Sequence, residues 1–516
     1  MTTEALYKLY LKQEQKVCTD SRKPIKGSIF FALKGKQFDG NEYALNALQN
    51  GCAYAVVDNP FVAHQSPSCI LVEDALKSLQ DLAHYHRQQL NLPLIGIAGS
   101  NGKTTTKELI AAVLSQKYSV LYTPGNLNNH IGLPLTLLQL KKEHQIAIIE
   151  MGANHPGEIE ALCLIAEPDF AVITSIGKEH LEGFGDIETV KKTNGELYDY
   201  VLNKNGKIFL QYDNPDLISI LTTHLPSRKK IDLNDILKQE EQFILYGDIK
   251  NAENIFLSEA DLRRPIVFGQ YIENEEDIYV HFKWIIHSKE KCRSFKKEGF
   301  YKLQISKSEI VPTFDNAPEI HTHLLAYHNF INALCAVCIG NYFSIKEKDI
   351  NTAIANYIPH QNRMQFKRTT YNLIILDAYN ANPTSMMAAL TFFCSKKIKT
   401  KAPCTLKTSD TTKESSLFYL NEKKVLILGD MFELGQHAEK EHRAIVQWLK
   451  ENVPKMTVYL IGTEFIKAVQ KEGGEFQTFE STEKFLSFLK QNPIQWKFIL
   501  IKASRGMQLE RVAEYL

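Results

Sequence analysis

The stretch IGIAGSNGKTTTKELI at residues 95–110 decides the fold of the central part of the chain. An apolar run leads into a short glycine-containing loop, and a helical pattern follows at once. Glycines let the backbone turn tightly, so that its N–H groups face a phosphate at the N-terminus of the helix. Lys103 can reach the outer phosphates as a point charge, and the Thr104 hydroxyl can bind Mg²⁺. The stretch therefore predicts a nucleotide site formed by Gly99, Ser100, Asn101, Gly102, Lys103, Thr104 and Thr105.

The loop departs from the strict phosphate-loop pattern at one position. Ile97 stands where G-x-x-x-x-G-K-[ST] has its first glycine. Taken alone, such a sequence is also compatible with an ordinary turn. The apolar run before it and the helical pattern after it favour the nucleotide site.

Further apolar runs of strand length lie after this loop along the chain, each followed by a helical pattern. They are at residues 146–152, 170–177, 373–379, 424–430, 458–462 and 498–504. Such runs are typical of buried parallel sheets. We predict an α/β fold with three domains: a small α/β domain at 1–88, a central parallel-sheet ATPase domain with the phosphate loop at 89–360, and a Rossmann-like domain at 361–516.

Two stretches interrupt this pattern. Residues 222–318 mix charged patches with alternating runs, and we predict an insertion with antiparallel elements there. Residues 395–424 are rich in Lys, Ser and Thr, and we interpret them as a solvated surface loop rather than a nucleic-acid patch.

Composition restricts the function further. The 516 residues carry 60 Lys+Arg against 59 Asp+Glu, a balance that argues against nucleic acid as the main partner. No signal peptide is visible, and no run approaches the roughly 18 apolar residues of a membrane span. Nine scattered cysteines predict reduced thiols, with Cys335 and Cys338 filling a helical core rather than forming a redox or metal pair. We expect a cytoplasmic protein without membrane insertion.

Two residues are candidate metal ligands beside the loop. Glu150 ends one apolar run, and His180 follows the next. Because ligands gather at the carboxyl ends of parallel strands, both side chains could face the phosphate loop. A carboxylate and a neutral imidazole suit Mg²⁺ or Mn²⁺. A capping or salt-bridge role for either residue is an equally open alternative.

Seven motifs together resemble the Mur ligase family. They are GSNGKTTTKE (99–108), TPGNLNNHIGLPLTLL (123–138), EMGANHPGEIE (150–160), HLEGFG (180–185), YHNFINALCA (327–336), AYNANPTSM (378–386) and LGDMFELG (428–435). The amino-terminal CTDSR, GSIFFALKG and FDGNEY are similar to a UDP-sugar-binding domain of that family. The resemblance covers nearly the whole chain except the two interrupting stretches.

The resemblance implies an ATP-dependent, amide-forming ligase. The terminal carboxylate of UDP-MurNAc-tripeptide would take the γ-phosphoryl group of ATP, and the amine of D-alanyl-D-alanine would then displace phosphate, giving a precursor for peptidoglycan synthesis. The implied catalytic residues are Lys103, Glu150, His180, Arg363 and Asp377. The implied ligands of Mg²⁺ or Mn²⁺ are Thr104, Glu150 and His180. Asn329 and Arg363 would join the loop in binding ATP, and the implied substrate contacts are Ser21, Arg22, Asn380, Lys502, Ser504 and Arg505. The chain is expected to act as a monomer.

Without the resemblance, several of these residues have simpler interpretations. His328 and Asn329 would be helix-capping residues, and the YNANP run at 379–383 would be a turn after a strand. The family usually has glycine at the position of Ala503, and the change argues against a close backbone approach there.

A second departure concerns the metal. Asn194 occupies the position at which the family usually carries a carbamylated lysine. An amide oxygen lacks the negative charge of a carbamate, so we expect weaker binding of a second divalent cation, with Glu196 or substrate oxygens compensating. A carbamate on Lys191, one helical turn earlier, is the less favoured alternative.

Three other functions share parts of this sequence pattern. A diamino-acid-adding Mur ligase or a folylpolyglutamate synthase would share the phosphate loop. The UDP-binding motifs argue against the folate enzyme, and YNANP with LGDMFELG argues against the diamino-acid-adding one. A regulatory ATPase would need the last domain to lack nucleotide-facing residues, whereas Arg363, Asp377 and Asn380 are all present.

Overall fold

Three larger sheets with helices packed on them, together with two short two-stranded sheets, make up the part of the chain that the structure describes. The structure is a computed structural model, and it describes residues 1–35, 37–224, 242–254, 266–274, 277–287, 304–306, 309–311, 314–396, 399–401, 417–419 and 424–516. The mixed α/β class predicted from the sequence is confirmed. The domain limits stay a prediction.

The first sheet is small and fully parallel. Its strands, in spatial order, are Val17–Cys18 (β1), Ile29–Phe31 (β2), Tyr54–Val57 (β3) and Cys69–Leu71 (β4). The helices of this part are Thr3–Lys12, Ala44–Gln49, Pro60–Ala63 and Ala75–Gln89, with a 3₁₀ turn at Gly40–Tyr43. The helix Ala75–Gln89 begins where the Asp74 side chain accepts a hydrogen bond from Lys77 N, an N-terminal cap.

The central sheet has nine strands in the order β15-β12-β11-β10-β9-β8-β5-β7-β6. They are Leu94–Ala98 (β5), Val120–Tyr122 (β6), Ile146–Glu150 (β7), Phe170–Ile173 (β8), Lys207–Gln211 (β9), Phe243–Asp248 (β10), Ile266–Ile272 (β11), Tyr279–His287 (β12) and Ile320–Leu325 (β15). Strands β5 to β11 pair in parallel, whereas β12 is antiparallel to both β11 and β15. A short antiparallel pair, Gln304–Ser306 (β13) and Glu309–Val311 (β14), precedes β15.

Helices cover both faces of the central sheet. They are Lys103–Leu114, Gly132–Leu137, Glu158–Ala166, Leu181–Phe184, Ile187–Asn203, Pro215–Ser219, Tyr327–Tyr342 and Glu347–Asn356, with a π turn at Ile220–His224 and a 3₁₀ turn at Ile249–Asn254. The alternate side chains of β5 enter different hydrophobic cores, Leu94 and Ala98 on one face and Ile95 and Ile97 on the other. A strand buried on both faces reads as a continuous apolar run, which is why the sequence signal was strong here.

The stretch 222–318, predicted as an insertion with antiparallel elements, contributes both parallel and antiparallel strands among its described residues, and its status as an insertion stays a prediction. Strands β10 and β11 extend the parallel central sheet, whereas β12 and the pair β13–β14 bring the expected antiparallel pairing. The apolar core of β10, Phe243 to Tyr246, is flanked by charged residues that concealed its strand pattern.

The last sheet has the order β16-β17-β23-β20-β21-β22. Its strands are Gln365–Arg368 (β16), Leu373–Asp377 (β17), Lys424–Gly429 (β20), Thr457–Ile461 (β21), Gln477–Phe479 (β22) and Phe498–Lys502 (β23). The α-helices are Pro383–Ser395, Ala438–Asn452, Thr463–Glu472 and Thr482–Gln491, with 3₁₀ turns at Gly435–His437, Arg505–Met507 and Leu509–Tyr515. All pairs are parallel except β16 with β17.

The stretch 395–424 is only partly a loop. Lys399–Lys401 (β18) and Leu417–Tyr419 (β19) pair as antiparallel strands, which corrects the loop prediction for those residues. Residues 397–398, 402–416 and 420–423 lie outside the described residues.

Two other sequence expectations concern thiols and membranes. Seven described cysteines are free, and Cys335 and Cys338 lie buried in the helix Tyr327–Tyr342. Burial raises the pKa of the Cys335 thiol to about 12, as expected of a core residue rather than a reactive one. Among the described helices, not one is both long and apolar enough to cross a bilayer.

Candidate active site

A cavity of about 540 Å³ lies where the central sheet meets the last sheet. It brings together most of the residues proposed from the sequence. Those that line it are Ser100, Asn101, Gly102, Lys103, Thr104, Thr105, Glu150, His180, Asn329, Arg363, Asp377, Asn380 and Lys502. Five others do not: Gly99, Ser21, Arg22, Ser504 and Arg505.

The phosphate loop needs glycine at both of its turns. The backbone φ is +119° at Gly99 and +87° at Gly102, in the left-handed region. A Cβ at Gly99 would lie 2.5 Å from Thr174 Oγ1, and one at Gly102 would lie 2.9 Å from Asn332 Oδ1. Ile97 is still part of β5, so the loop needs no glycine at that position. The loop feeds directly into the helix that begins at Lys103, the arrangement that binds phosphate.

Asn194 supports this loop from the helix Ile187–Asn203. Its Oδ1 accepts a hydrogen bond from Gly99 N at 2.7 Å, and its Nδ2 donates to Val190 O at 2.9 Å. Only 4% of the residue is exposed. The amide oxygen therefore serves the loop backbone, which differs from our expectation that it replaces a carbamate as a cation ligand.

Neither of the other residues considered for the second cation lies at the cavity wall. The Glu196 carboxylate accepts hydrogen bonds of 2.9 Å each from Gly157 N and Glu160 N, so the prediction that Glu196 compensates is wrong. Lys191 lies 3.1 Å from carboxylate oxygens of Glu188 and Asp216. Burial alone would lower the pKa of Lys191, but these two carboxylates raise it above its usual value. Because carbamylation requires the neutral amine, the ion pairs argue against a carbamate there.

Glu150 is the centre of a buried polar network at the end of β7. Thr104 Oγ1 lies 3.0 Å from Glu150 Oε2, and Asn128 Nδ2 donates to Oε1 at 2.9 Å. Lys107 Nζ lies 3.1 Å from Oε2, with the Lys107 side chain fully buried. A buried ammonium needs such a partner. Lys107 was missed from the sequence, although its spacing of four residues from Lys103 places both on one helix face.

His180 is held by a carboxylate from the last sheet. Its Nδ1 donates to Glu433 Oε2 at 2.6 Å, and this hydrogen bond lowers the pKa of Glu433 below its usual value. Glu433 belongs to the LGDMFELG motif after β20, and its role was not foreseen. A carboxylate on one ring nitrogen leaves Nε2 as the metal-binding nitrogen, a common arrangement in metal sites.

The donor set at this end of the cavity fits a hard divalent cation. It comprises the Thr104 hydroxyl, the Glu150 carboxylate and the His180 imidazole, all of which line the cavity. Oxygen ligands with one imidazole suit Mg²⁺ or Mn²⁺. Glu150 and His180 both have salt-bridge partners, which confirms that alternative, and their role as metal ligands stays a prediction.

Arg363 reaches the cavity from the segment before β16. Its guanidinium carbon lies 3.6 Å from the centre of the Tyr379 ring. Its Nε is buried and has no hydrogen-bond partner among the described residues. Arg505 packs on the same ring at 5.1 Å and donates from Nη1 to Tyr379 Oη at 3.3 Å. Held by stacking rather than by a carboxylate, Arg363 keeps hydrogen-bond donors for an anion.

Asp377 and Lys502 form a pair at the ends of β17 and β23. They are register partners in the sheet, and Lys502 Nζ lies 2.5 Å from Asp377 Oδ2. Lys502 Nζ also donates to Asn380 O at 3.3 Å, which ties the YNANP turn to the pair. Lys502 is only 1% exposed.

Ser504 and Ala503 follow directly after β23 and pack into the fold. Ser504 Oγ accepts from Phe432 N at 2.9 Å and donates to Ala381 O at 3.2 Å. A Cβ at Gly429 would lie 2.7 Å from Ala503 Cβ. Gly429 on the neighbouring strand therefore makes room for the Ala503 side chain, and the expectation about backbone approach at the amine site stays a prediction.

His328 and Asn329 open the helix Tyr327–Tyr342 and line the cavity. The helix has Ala326 at its N-cap position and no side-chain cap, so the capping alternative is wrong. Asn329 Nδ2 donates to Leu325 O at 2.7 Å, and Asn329 Oδ1 accepts from Asn332 Nδ2 at 2.9 Å. These two bonds fix the Asn329 amide at the wall.

Ser21 and Arg22 lie in a turn between β1 and β2. The Arg22 guanidinium pairs with both carboxylate oxygens of Asp20, at 2.8 and 3.0 Å. Its side chain is 87% exposed. The implied UDP contacts thus lie on the surface of the first part of the chain, outside the cavity.

The central and last parts of the chain touch beside the loop. Asn382 Nδ2 donates to Asn101 Oδ1 at 3.0 Å, and Lys178 N donates to Thr384 Oγ1 at 3.0 Å. A further ion pair joins Lys178 Nζ to Glu441 Oε1 at 2.7 Å. The loop and the YNANP turn are therefore coupled directly.

Comparison with known proteins gives consistent relatives. Residues 97–233 match the Mur ligase middle domain family. Over 97% of this chain, the sequence is 31% identical to UDP-N-acetylmuramoyl-tripeptide–D-alanyl-D-alanine ligase of Bacillus subtilis, with 92% of that protein covered. The ligase of the same name from Escherichia coli is 28% identical, with 97% of this chain and 93% of that one covered.

Solved structures give the same relationship. The crystal structure of MurF from Acinetobacter baumannii matches with a TM-score of 0.71 and 26% identity, covering 97% of this chain and 92% of that one. MurF ligase from Thermotoga maritima in complex with ADP matches with a TM-score of 0.69 at 23% identity, covering 98% and 97%, which shows the shared fold.

Proposed function

The chain belongs to the Mur ligase family, and from that premise we propose that it joins D-alanyl-D-alanine to UDP-N-acetylmuramoyl-tripeptide at the expense of ATP. The observation that carries the proposal is one cavity lined by the phosphate loop together with Arg363, Asp377 and Lys502. A nucleotide-dependent regulator needs only the loop. A ligase must align a nucleotide, a carboxylate and an amine, and it needs groups from both parts of the chain.

The proposed reaction has two steps. The terminal carboxylate of the tripeptide attacks the γ-phosphorus of ATP, forming an acyl phosphate and ADP. The free amine of the dipeptide then attacks the acyl carbon, and the tetrahedral intermediate expels phosphate. The product is UDP-MurNAc-pentapeptide, a precursor for peptidoglycan. Because the reaction consumes ATP, we propose a cytoplasmic location.

Lys103 and Arg363 both line the cavity where the phosphates would lie. We assign these two side chains and the loop N–H groups to the triphosphate. Such groups stabilise charge that develops during transfer and need no reorganisation when the reaction occurs. A divalent cation held by Thr104, Glu150 and His180 would neutralise further phosphate charge.

The Asp377–Lys502 pair supports the amine end of the site. Lys502 neutralises the carboxylate and holds it at the cavity wall, 2.5 Å away. We assign Asp377 and Asn380 to the incoming amine, and Ser21 and Arg22 to the UDP portion. Water must be kept away from the acyl phosphate once it forms. Contacts such as Asn382–Asn101 join the central and last parts of the chain, and these two parts enclose the cavity.

One assay tests the proposal against its rivals. Phosphate release is followed with ATP and UDP-MurNAc-tripeptide, with and without D-alanyl-D-alanine, and mass spectrometry identifies the product. We expect release to require the dipeptide and a product heavier by the dipeptide minus water. Release without any amine would support a regulatory ATPase. A parallel reaction replaces the tripeptide by UDP-MurNAc-dipeptide and the amine by a diamino acid. Phosphate release that depends on the diamino acid there would support the diamino-acid-adding ligase.

A further inference from the structure

Two histidines and a glutamate form a cluster at the edge of the central sheet, with His281 on β12, His321 on β15 and Glu319 directly before β15. His281 and His321 are register partners across the two antiparallel strands, and their ring centres lie 4.6 Å apart. Glu319 precedes His321 by two residues, so alternation places both on the same face of the sheet. His321 Nε2 lies 3.7 Å from Glu319 Oε1.

His281 carries the feature that points to a ligand. Its Nε2 lies 2.8 Å from Asp277 Oδ2, which occupies one ring nitrogen. Its Nδ1 is buried and has no hydrogen-bond partner in the described part of the chain. A buried polar atom without a partner is costly, and a bound ion is one of the usual ways in which such an atom is satisfied.

We propose that His281, His321 and Glu319 bind a divalent transition-metal cation, with Zn²⁺ as the leading candidate. One ligand atom from each residue lies within 4.8 Å of the others. Zinc bonds to histidine and carboxylate at roughly 2.0–2.2 Å, so a small inward movement of the two exposed side chains closes the site. Two imidazoles with one carboxylate favour zinc, copper or nickel over magnesium or calcium. Water completes the tetrahedron.

Asp277 acts as a positioning residue in this site. A carboxylate on the far nitrogen of a metal-binding histidine fixes its tautomer and raises its basicity. With Nε2 engaged by Asp277, Nδ1 of His281 is the nitrogen left for the cation.

The site is separate from the candidate active site, since none of its residues lines that cavity. Strand β15 ends at Leu325, two residues before the helix that carries His328 and Asn329 to the cavity wall. A cation that joins β12 to β15 would therefore stabilise the sheet edge behind those residues. Its role is structural, and the ligase reaction does not need it for chemistry.

Calorimetric titration of the untagged full-length protein with ZnCl₂ tests the proposal. The key variant is His321→Gln, because the His321 side chain is 70% exposed and the fold does not depend on it. The matched control is His323→Gln, two residues along the same edge strand, where the ring contacts Tyr279 instead. Wild type and His323→Gln should each bind one Zn²⁺ more than His321→Gln, and Co²⁺ should give a tetrahedral visible spectrum in the first two only.

The variant Asp277→Asn tests whether Asp277 positions His281 for the cation. It should keep the stoichiometry and weaken Zn²⁺ binding about 10- to 100-fold. Ligase turnover of His321→Gln with Mg²⁺ should equal that of wild type. Equal Zn²⁺ stoichiometry and affinity in wild type and His321→Gln would overturn the site, and unchanged affinity in Asp277→Asn would overturn the positioning role.

Discussion

Replacing Asn194 by alanine should weaken ATP binding while leaving the protein folded. The change removes the acceptor that lies 2.7 Å from Gly99 N. A buried N–H without an acceptor costs about 1–3 kcal/mol. In the free protein the loop can relax and expose that N–H to water. Phosphate binding requires the ordered loop, so the cost falls mainly on the bound state. The expected loss is about 5- to 150-fold in ATP affinity.

The measurement is the dissociation constant for a non-hydrolysable ATP analogue with Mg²⁺, by calorimetry, beside a thermal unfolding curve. The matched control is Lys192→Ala, a truncation in the same helix at an exposed position. We expect the control to bind the analogue like wild type. Asn194→Ala should unfold in one transition at a modestly lower temperature.

The result that would refute this reasoning is an affinity within about twofold of wild type for a folded Asn194→Ala protein, since about 0.5 kcal/mol is the ordinary effect of a surface change. The Gly99 hydrogen bond would then be unnecessary for the phosphate loop. The departure from lysine at this position would need a different explanation.

Other predictions concern the same cavity. Lys103→Ala should abolish turnover with a normal melting transition, and substantial residual turnover would contradict the phosphate assignment. Asn194→Lys, assayed over a Mg²⁺ titration with and without bicarbonate, should gain a bicarbonate dependence that wild type lacks. The hydrogen bond from His180 lowers the pKa of Glu433, so the ionised carboxylate stabilises the fold above the ordinary pKa of 4.5, and this contribution is lost as pH falls through the lowered pKa. The difference in free energy of unfolding between wild type and Glu433→Gln should therefore shrink as pH falls over that range. Small-angle scattering should show compaction when nucleotide and tripeptide bind, because Lys103 and Arg363 are assigned to the same phosphates; an unchanged radius at saturation would count against closure.

Much of the fold could be predicted because its strands are buried on both faces. β5, β7, β17, β20 and β23 all read as continuous apolar runs, and each was found within a few residues. β10 was not predicted as a strand because its apolar core is short. Its charged neighbours make the surrounding stretch polar on average, which hides the apolar run. Pairing partners are also invisible to a local pattern, and β10 was therefore assigned to an insertion rather than to the sheet.

In the candidate site, too, some residues could be predicted from the local sequence and others could not. Lys103 could be named from local sequence because it belongs to the G-K-[ST] pattern, and Glu150 because it ends an apolar run, where parallel strands gather ligands. Their partners could not, since Lys107, Asn194 and Glu433 are defined by contacts that arise only after folding. Sequence reasoning gave Asn194 and Glu196 a metal role, and their hydrogen bonds to backbone N–H groups show other roles.

Lys107, Asn194 and Glu433 orient groups of the cavity before the highly charged triphosphate binds. Each candidate group is oriented by a neighbour: Gly99 by Asn194, Glu150 by Lys107, His180 by Glu433. Lys103 differs, because its ammonium contacts the Gly99 carbonyl and lies 3.7 Å from Glu179 Oε2. A triphosphate carries more negative charge than one carboxylate. We therefore expect the Lys103 ammonium to leave Glu179 and pair with the phosphates when ATP binds in the loop. The orienting pairs then stay in place while the Lys103 ammonium changes partner, so binding costs little reorganisation.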